Sequence, residues 1–186
     1  MGFEQSEPPR RQPVPSDHPD LDAERIFEVF ARHGVEYLLI GGAATRLYGA
    51  QRVTYDIDML AARERENLDR VASALRELGA FLRVGGLDDE TARALPVIID
   101  GPALAEMEIS TWRTDAGDLD VLAYLRSVDG RRLEFADLLD RAETTVVAGV
   151  SVQVAGLDDI IDSKRFADRP KDREALPELE QLRNDP

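Results

Sequence analysis

The order of apolar and polar residues along this chain predicts a mixture of helices and strands. Apolar residues at helical spacing predict amphipathic helices at 22–33, 64–78, 157–166 and 172–182, with shorter helical segments at 43–48, 88–95 and 135–142. Continuous or alternating apolar runs predict strands at 37–40, 54–60, 81–84, 97–100, 106–111 and 119–122, and a hairpin of 144–148 and 150–154. We therefore expect an α+β fold with a mixed sheet and a small C-terminal helical part at about 156–183.

The first 20 residues differ from the rest of the chain. Residues 1–19 contain five prolines among charged and polar residues and little apolar material. A segment of this composition buries too little apolar surface to offset the entropy of ordering it. We predict a disordered Pro-rich tail at 1–20 and a single domain at 21–186.

Composition restricts the kinds of site that the chain can form. There is no cysteine, and the two histidines, His18 and His33, are far apart, so a hard cation held by oxygen ligands is expected rather than zinc. The 37 acidic and 23 basic residues give a formal charge of −14, which argues against broad, non-specific nucleic-acid binding. No apolar run approaches the roughly 20 residues of a membrane span, and no signal-peptide core begins the chain. We expect a soluble, cytoplasmic protein without a membrane partner.

The stretch from Tyr37 to Leu60 carries the clearest chemical signal. A predicted buried strand ends at Gly41-Gly42, and Asp56-x-Asp58 follows after thirteen residues. Glycines let backbone N–H groups approach a phosphate closely at the start of a helix. Two carboxylates at i and i+2 of a strand point to the same face, where they can share divalent cations. The stretch predicts a phosphate site beside a metal site.

A third aspartate, Asp120, lies between two apolar residues of a predicted strand. Asp56, Asp58 and Asp120 together can hold two Mg²⁺ ions that bridge the phosphates of a nucleoside triphosphate. The alternative is that these aspartates face solvent on an edge strand. Neither GxxxxGK[ST] nor GxGxxG occurs, so neither a P-loop nor a Rossmann site is indicated.

The series Gly41-Gly42, Asp56-x-Asp58 and Asp120 resembles the nucleotidyltransferase superfamily of the DNA polymerase β type. The surrounding segments are closer still to the AbiEii and MenT-like toxins of bacterial toxin–antitoxin systems. RVTYDID at 52–58 looks like their first motif, and LDDIIDSK at 157–164 with RPKD at 169–172 looks like their lysine and aspartate motifs. The resemblance covers roughly residues 35–182 and implies a polymerase β-type nucleotidyltransferase core.

This resemblance implies roles for the residues of the first two motifs. Asp56 and Asp58 would bind the metal ions, and Asp120 would complete one metal site and orient or deprotonate the attacking hydroxyl. Gly41 and Gly42 would hold the triphosphate of the NTP.

Further residues receive roles from the same resemblance. Lys164 would neutralise phosphate charge during transfer, and Asp172 would organise Lys164 or the base pocket. Arg46 and Arg52 are candidate phosphate contacts. Thr54 occupies a position at which these toxins can be phosphorylated, which would add negative charge where the nucleotide binds.

The leading functional hypothesis is a Mg²⁺-dependent nucleotidyltransferase that moves a nucleoside monophosphate from an NTP to an acceptor hydroxyl. The resemblance implies the 3′ end of tRNA as acceptor, and hence a growth-blocking toxin with a cognate antitoxin. Such a protein should present arginines on one face beside the acidic cleft. The candidates are Arg113, Arg131, Arg132, Arg165, Arg169 and Arg173.

Two alternatives stay open at this point. The same chemistry could act on a protein side chain or on a small molecule such as an aminoglycoside, because an acidic cleft suits a polycation. The fold could also be catalytically silent and serve as a binding module or antitoxin.

Overall fold

A computed structural model describes residues 20–184, so the predicted tail lies outside the described residues except for its last position. The helices are α1 (Ala23–Arg32), α2 (Gly41–Leu47), α3 (Arg65–Glu77), α4 (Asp89–Arg93), α5 (Gly101–Ala105), α6 (Phe135–Leu138), α7 (Leu157–Ala167) and α8 (Pro170–Asn184), with a 3₁₀ helix at Leu139–Arg141. The strands are β1 (Tyr37–Ile40), β2 (Asp56–Ala61), β3 (Phe81–Leu82), β4 (Ile109–Thr114), β5 (Gly117–Leu122), β6 (Leu125–Arg126), β7 (Arg132–Leu133), β8 (Glu143–Val147) and β9 (Val150–Val154).

Seven of the strands form one mixed sheet in the order β3-β4-β5-β2-β1-β9-β8, and β6 pairs with β7 separately. Strand β2 is antiparallel to β1 and parallel to β5, so the centre of the sheet combines both kinds of pairing. Helices α7 and α8 pack against each other and form the C-terminal helical part. The prediction of an α+β fold with a mixed sheet is confirmed.

The core lies where the apolar pattern is most continuous. All four residues of β1 are buried, as expected for a central strand with both faces covered. The amphipathic pattern of α3 is also confirmed, because its buried residues include Leu68, Val71 and Leu75. Within residues 20–184, none of the helices is long and apolar enough to cross a membrane.

Two predictions for the middle of the chain are wrong. The segment 97–100 is not a strand, because its backbone groups bond elsewhere: the N–H of Val97 donates to the carbonyl of Leu95, and the carbonyl of Ile99 accepts from Arg76. The strand predicted at 106–111 begins only at Ile109. Residues 106–108 instead follow the end of α5. The Asp100 carboxylate caps the start of this helix, which the sequence did not predict.

A buried asparagine ties the two central strands to α3. The Asn67 side chain accepts from the N–H of Glu36 at 2.8 Å and donates to the carbonyls of Glu36 and Ala62 at 2.8 and 2.9 Å. Glu36 directly precedes β1 and Ala62 directly follows β2, so one side chain satisfies three backbone groups at this end of the strand pair.

Asn67→Ala should destabilise the fold by about 3 kcal/mol, because it leaves buried backbone groups without partners. Denaturant unfolding of the full chain measures this loss. Ser73→Ala on the same helix is the matched control, and its effect should stay within about 0.5 kcal/mol. Equal effects of the two substitutions would contradict the role assigned to Asn67.

Candidate active site

The parallel pairing of β2 with β5 brings four aspartates to one face of the sheet. In the register of these strands, Asp56 lies beside Asp118 and Asp58 lies beside Asp120. Residues at i and i+2 of a strand share a face, so each strand contributes two carboxylates to the same surface. The third strand aspartate expected from the sequence is therefore next to the first two.

Three of these carboxylates converge. Asp56, Asp58 and Asp120 each offer an oxygen, and these oxygens all lie within 4.8 Å of one another. Such an all-oxygen donor set suits a hard divalent cation such as Mg²⁺. The residues present thus fit the metal site that the sequence predicts.

The fourth carboxylate, Asp118, is satisfied by protein groups. Its side chain has no exposed surface and pairs with Arg83 at 2.6 Å and with Arg113 at 2.9 Å. Arg83 also reaches Asp120 at 3.2 Å. Sequence reasoning did not single out Asp118 or Arg83. The spacing Asp118-x-Asp120 repeats that of Asp56-x-Asp58 and could have indicated Asp118, whereas no local signal marks Arg83.

Burial and neighbouring charges raise the pKa values of two carboxylates in the triad. Burial, followed by the charges of Asp56 and Asp120, raises the pKa of Asp58 to about 7. Burial also raises the pKa of Asp120 to about 6, although the Arg83 guanidinium opposes this change. A bound cation would relieve this repulsion, because it favours the ionised form of each carboxylate.

The glycine pair makes room for these aspartates. Gly41 has φ +66°, and a Cβ at this position would lie 1.9 Å from Oδ2 of Asp58. A Cβ at Gly42 would lie 2.6 Å from Oγ1 of Thr54, which in turn donates to Oδ1 of Asp56 at 3.1 Å. The helix predicted at 43–48 begins two residues earlier, so both glycines belong to the first turn of α2. The close approach of Gly41 to Asp58 and of Gly42 to Thr54 gives a steric reason for glycine that is independent of phosphate binding.

A cleft of about 660 Å³ opens over the triad. The sequence-predicted site residues that line it are Gly41, Gly42, Arg52, Thr54, Asp56, Asp58, Asp120 and Lys164. Arg46 is exposed and is not part of the lining, and its guanidinium donates to the carbonyl of Arg52 at 3.1 Å. Asp172 lies behind the lining and is fully buried.

Asp172 holds cationic side chains at the edge of the cleft. Its carboxylate lies 3.4 Å from Nζ of Lys164 and 2.6 Å from Nε of Arg169. Burial alone would raise the pKa of Asp172, but these two partners outweigh it and lower the pKa. Asp172 therefore stays ionised and pairs with both cations.

Lys171 is a further cation of the cleft to which the sequence assigned no role. It lines the cleft, and its ammonium group forms no ion pair with the carboxylates of residues 20–184. Its carbonyl accepts from Arg52 at 3.4 Å, and Arg52 also pairs with Glu174 at 3.2 Å. These contacts join the start of α8 to the loop that enters β2.

The arginines considered for RNA binding are paired with carboxylates. Each of the six forms at least one ion pair, and the set is Arg113, Arg131, Arg132, Arg165, Arg169 and Arg173. Local neutralisation of this kind weakens the attraction of a surface for a polyanion.

No protein-family model and no curated protein sequence matches the chain. Solved structures do resemble it. LnuA, a lincosamide antibiotic adenylyltransferase solved with lincomycin, aligns with a TM-score of 0.57 and 16% identity over 88% of this chain and 99% of that chain. A Thermotoga maritima protein assigned as a nucleotidyltransferase aligns with a TM-score of 0.51 and 14% identity over 85% of this chain and 89% of that chain. ANT(2″)-Ia in complex with adenylyl-2″-tobramycin aligns with a TM-score of 0.50 and 19% identity over 87% of this chain and 92% of that chain. The chain has the nucleotidyltransferase fold.

Asp58→Asn should stabilise the metal-free protein at alkaline pH. Because the folded-state pKa of about 7 lies above the ordinary 3.8, protonated Asp58 favours folding. This contribution is fully present below the ordinary pKa and is lost as pH rises through about 7. Asparagine cannot ionise, so the variant should gain up to about 4 kcal/mol near pH 8 and less near pH 5.

Denaturant unfolding with a chelator at both pH values measures this gain. Added Mg²⁺ should raise the Tm of the wild type and not that of Asp58→Asn. Asp129→Asn serves as the control, because hydrogen bonds from Ser127 and Arg131 lower the pKa of this exposed carboxylate instead of raising it. Its replacement should therefore give no gain in stability near pH 8. A chelated wild type as stable as Asp58→Asn near pH 8 would show that the triad carries no such repulsion.

Proposed function

We propose that this protein is a metal-dependent nucleotidyltransferase that moves a nucleoside monophosphate from an NTP to an acceptor hydroxyl and releases pyrophosphate. The observation that carries this proposal is the convergence of Asp56, Asp58 and Asp120 within 4.8 Å in a cleft of about 660 Å³. The nucleotidyltransferase fold supports it, because the structural neighbour LnuA is a lincosamide antibiotic adenylyltransferase and ANT(2″)-Ia was solved with adenylyl-2″-tobramycin.

In this proposal, Asp56, Asp58 and Asp120 would hold two Mg²⁺ ions. These ions would supply positive charge against the triphosphate and would lower the pKa of the acceptor hydroxyl. The acceptor oxygen forms a bond to the α-phosphorus, the bond from that phosphorus to the bridging oxygen of the β-phosphate breaks, and pyrophosphate leaves with the bonding electrons. Asp120, at the acceptor end of the triad, orients the hydroxyl and accepts or relays its proton.

The cations of the cleft serve the triphosphate. Lys171 forms no ion pair with the carboxylates of residues 20–184 and can contact phosphate oxygens directly, while Asp172 fixes the position of Lys164. Arg52 fixes the loop next to the start of α8 and lines the same cleft. Gly41 and Gly42 let the triphosphate approach the first turn of α2. Arg46 is turned towards the Arg52 carbonyl and takes no part.

For the acceptor, we favour a small molecule over the 3′ end of tRNA. The net charge of −14 and the ion pairing of all six candidate arginines disfavour a polyanion. LnuA was solved with lincomycin bound and ANT(2″)-Ia with adenylyl-2″-tobramycin, and both ligands are small molecules.

A toxin that modifies tRNA and pairs with a cognate antitoxin is the second candidate. It is favoured by the motif resemblance at 52–58 and 157–172, whose lysine and aspartate, Lys164 and Asp172, meet at 3.4 Å. A catalytically silent binding module is the least favoured candidate. It would leave the complete carboxylate triad without a function, although the mutual repulsion of these carboxylates is unfavourable.

Asp56→Ala should reduce Mg²⁺-dependent pyrophosphate release by at least about 100-fold, because it removes one side of the metal site. The assay incubates the protein with each labelled NTP and Mg²⁺ in the presence of total tRNA, a small-molecule panel or a protein mixture. Asp129→Ala, outside the cleft, is the matched control and should keep wild-type activity.

The location of the label separates the acceptor classes. Label in RNA supports the toxin candidate, and label in small molecules supports the favoured one. If the wild type and Asp56→Ala behave alike with every NTP and metal, the transferase proposal is wrong.

Phosphorylation of Thr54 would regulate this site in our proposal. The Thr54 hydroxyl already donates to Asp56 at 3.1 Å, so a phosphate there would place negative charge against the metal triad. Thr54→Glu should lower pyrophosphate release at least about tenfold, and Thr54→Gln is its uncharged control. Equal activity of the Glu and Gln variants would remove the electrostatic basis of this regulation.

A further inference from the structure

One wall of the cleft is apolar and begins directly beside the metal triad. Leu122 follows Asp120 by two residues on β5 and shares its face, and Ile109 on β4 is the cross-strand partner of Leu122. Ile109, Leu122 and Leu125 all line the cleft. Ile109 is 59% exposed although it lies on an interior strand of the sheet. An apolar side chain that lines a cleft and stays open to it is suited to contact a ligand.

The charged residues that line the cleft lie elsewhere. Lys164, Arg169 and Lys171 gather at the end of α7 and the start of α8, and Arg52 joins them from the loop before β2. Apart from the triad, the lining contains a single acidic residue, Glu178, which accepts from the backbone N–H of Gln51 at 2.8 Å. The wall formed by β4 and β5 beyond Asp120 therefore offers no charge to a ligand.

This arrangement separates the two substrates. In-line transfer requires the attacking oxygen and the leaving pyrophosphate to lie on opposite sides of the α-phosphorus. The triphosphate belongs with the cations around the start of α8 and the loop that enters β2. The acceptor then approaches from the side of Asp120, where Ile109 and Leu122 form the wall.

The same arrangement removes the argument for a polycationic acceptor. An acidic cleft suits a polycation only while its carboxylates are uncompensated. The four acidic and four basic side chains of the lining balance one another, and the charge of two divalent cations would be offset by the bound triphosphate. An aminoglycoside would then find no net negative charge to attract it.

We infer that the acceptor is a small hydroxyl compound without cationic groups that lays an apolar face against Ile109, Leu122 and Leu125. This inference rests on the proposed transferase function and names its acceptor class. Ile109 is the specificity-determining residue, because its exposed side chain loses contact with water when an apolar ring covers it.

Three probes of matched chemistry test the inference. Phenyl β-D-glucoside is uncharged and has an apolar ring, methyl β-D-glucoside has the same sugar hydroxyls without the ring, and tobramycin is a polycation. Each is titrated into the full chain with Mg²⁺ and an α,β-methylene NTP analogue, and the methyl NMR signals of Ile109 are followed. Phenyl glucoside should bind at least about tenfold more tightly than the other two and shift the Ile109 signals.

Variants of Ile109 test whether this apolar wall is responsible for the binding of phenyl glucoside. Binding of phenyl glucoside, followed by calorimetry, should fall at least about tenfold in Ile109→Ser and be retained in Ile109→Leu. Val146→Ser is the matched control, because Val146 is 69% exposed on β8 and does not line the cleft. Thermal melting shows that each variant is folded.

Four results would overturn the inference: tighter binding of tobramycin, tighter binding of a single-stranded RNA oligonucleotide, no preference among the glucosides, or unchanged phenyl glucoside binding in Ile109→Ser. Pyrophosphate release that depends on Asp56 is measured separately. If it persists while the probes fail, the transferase function stands and the acceptor class is wrong. If the probes bind as expected without this activity, the transferase function fails.

Discussion

Mutual repulsion among carboxylates on one sheet face is the constraint on which the site depends. Parallel pairing of β2 with β5 places two Asp-x-Asp pairs side by side, and burial of such a group is costly without compensation. The protein meets this constraint in two ways. Arg83 and Arg113 compensate Asp118, while Asp56, Asp58 and Asp120 keep their oxygens directed at a common point. Arg83 offsets only part of the charge of these three through its contact with Asp120, so their common point is where a divalent cation would bind.

The surrounding elements are arranged to serve this triad. A glycine begins α2 because any Cβ there would collide with the Asp58 carboxylate. Buried Asp172 gathers Lys164 and Arg169 at one edge of the cleft, and the apolar side chains of β4 and β5 occupy another. Negative, positive and apolar surfaces are thus segregated around one point. Segregation of this kind lets one cleft bind a triphosphate and a chemically different acceptor at the same time.

Much of the fold could be predicted because its signals are local. The buried run at β1, the helical spacing of α3 and the hairpin of β8 and β9 with Gly149 at its turn are each encoded within about a dozen neighbouring residues. The failures have a different origin. The apolar segment 97–100 looks like a strand, but Arg76 binds its backbone from a helix distant in sequence. The intrinsic preference of residues for strands predicts structure poorly where tertiary contacts compete for the same backbone groups.

The sequence by itself determined that Asp56 and Asp58 share a face, because Asp-x-Asp spacing on a strand points both carboxylates to the same side. The pairing of β2 with β5, which brings Asp120 beside them, was decided by the tertiary structure. The tertiary structure alone decided which charges remain available. Arg83 reaches Asp118 across 35 positions of sequence, and the arginines that suggested an RNA surface are all paired with carboxylates in the folded chain. It also placed Ile109 beside Leu122, two residues after Asp120, through strand pairing. Charge compensation and wall composition depend on contacts between distant segments, and composition and local spacing carry no information about such contacts.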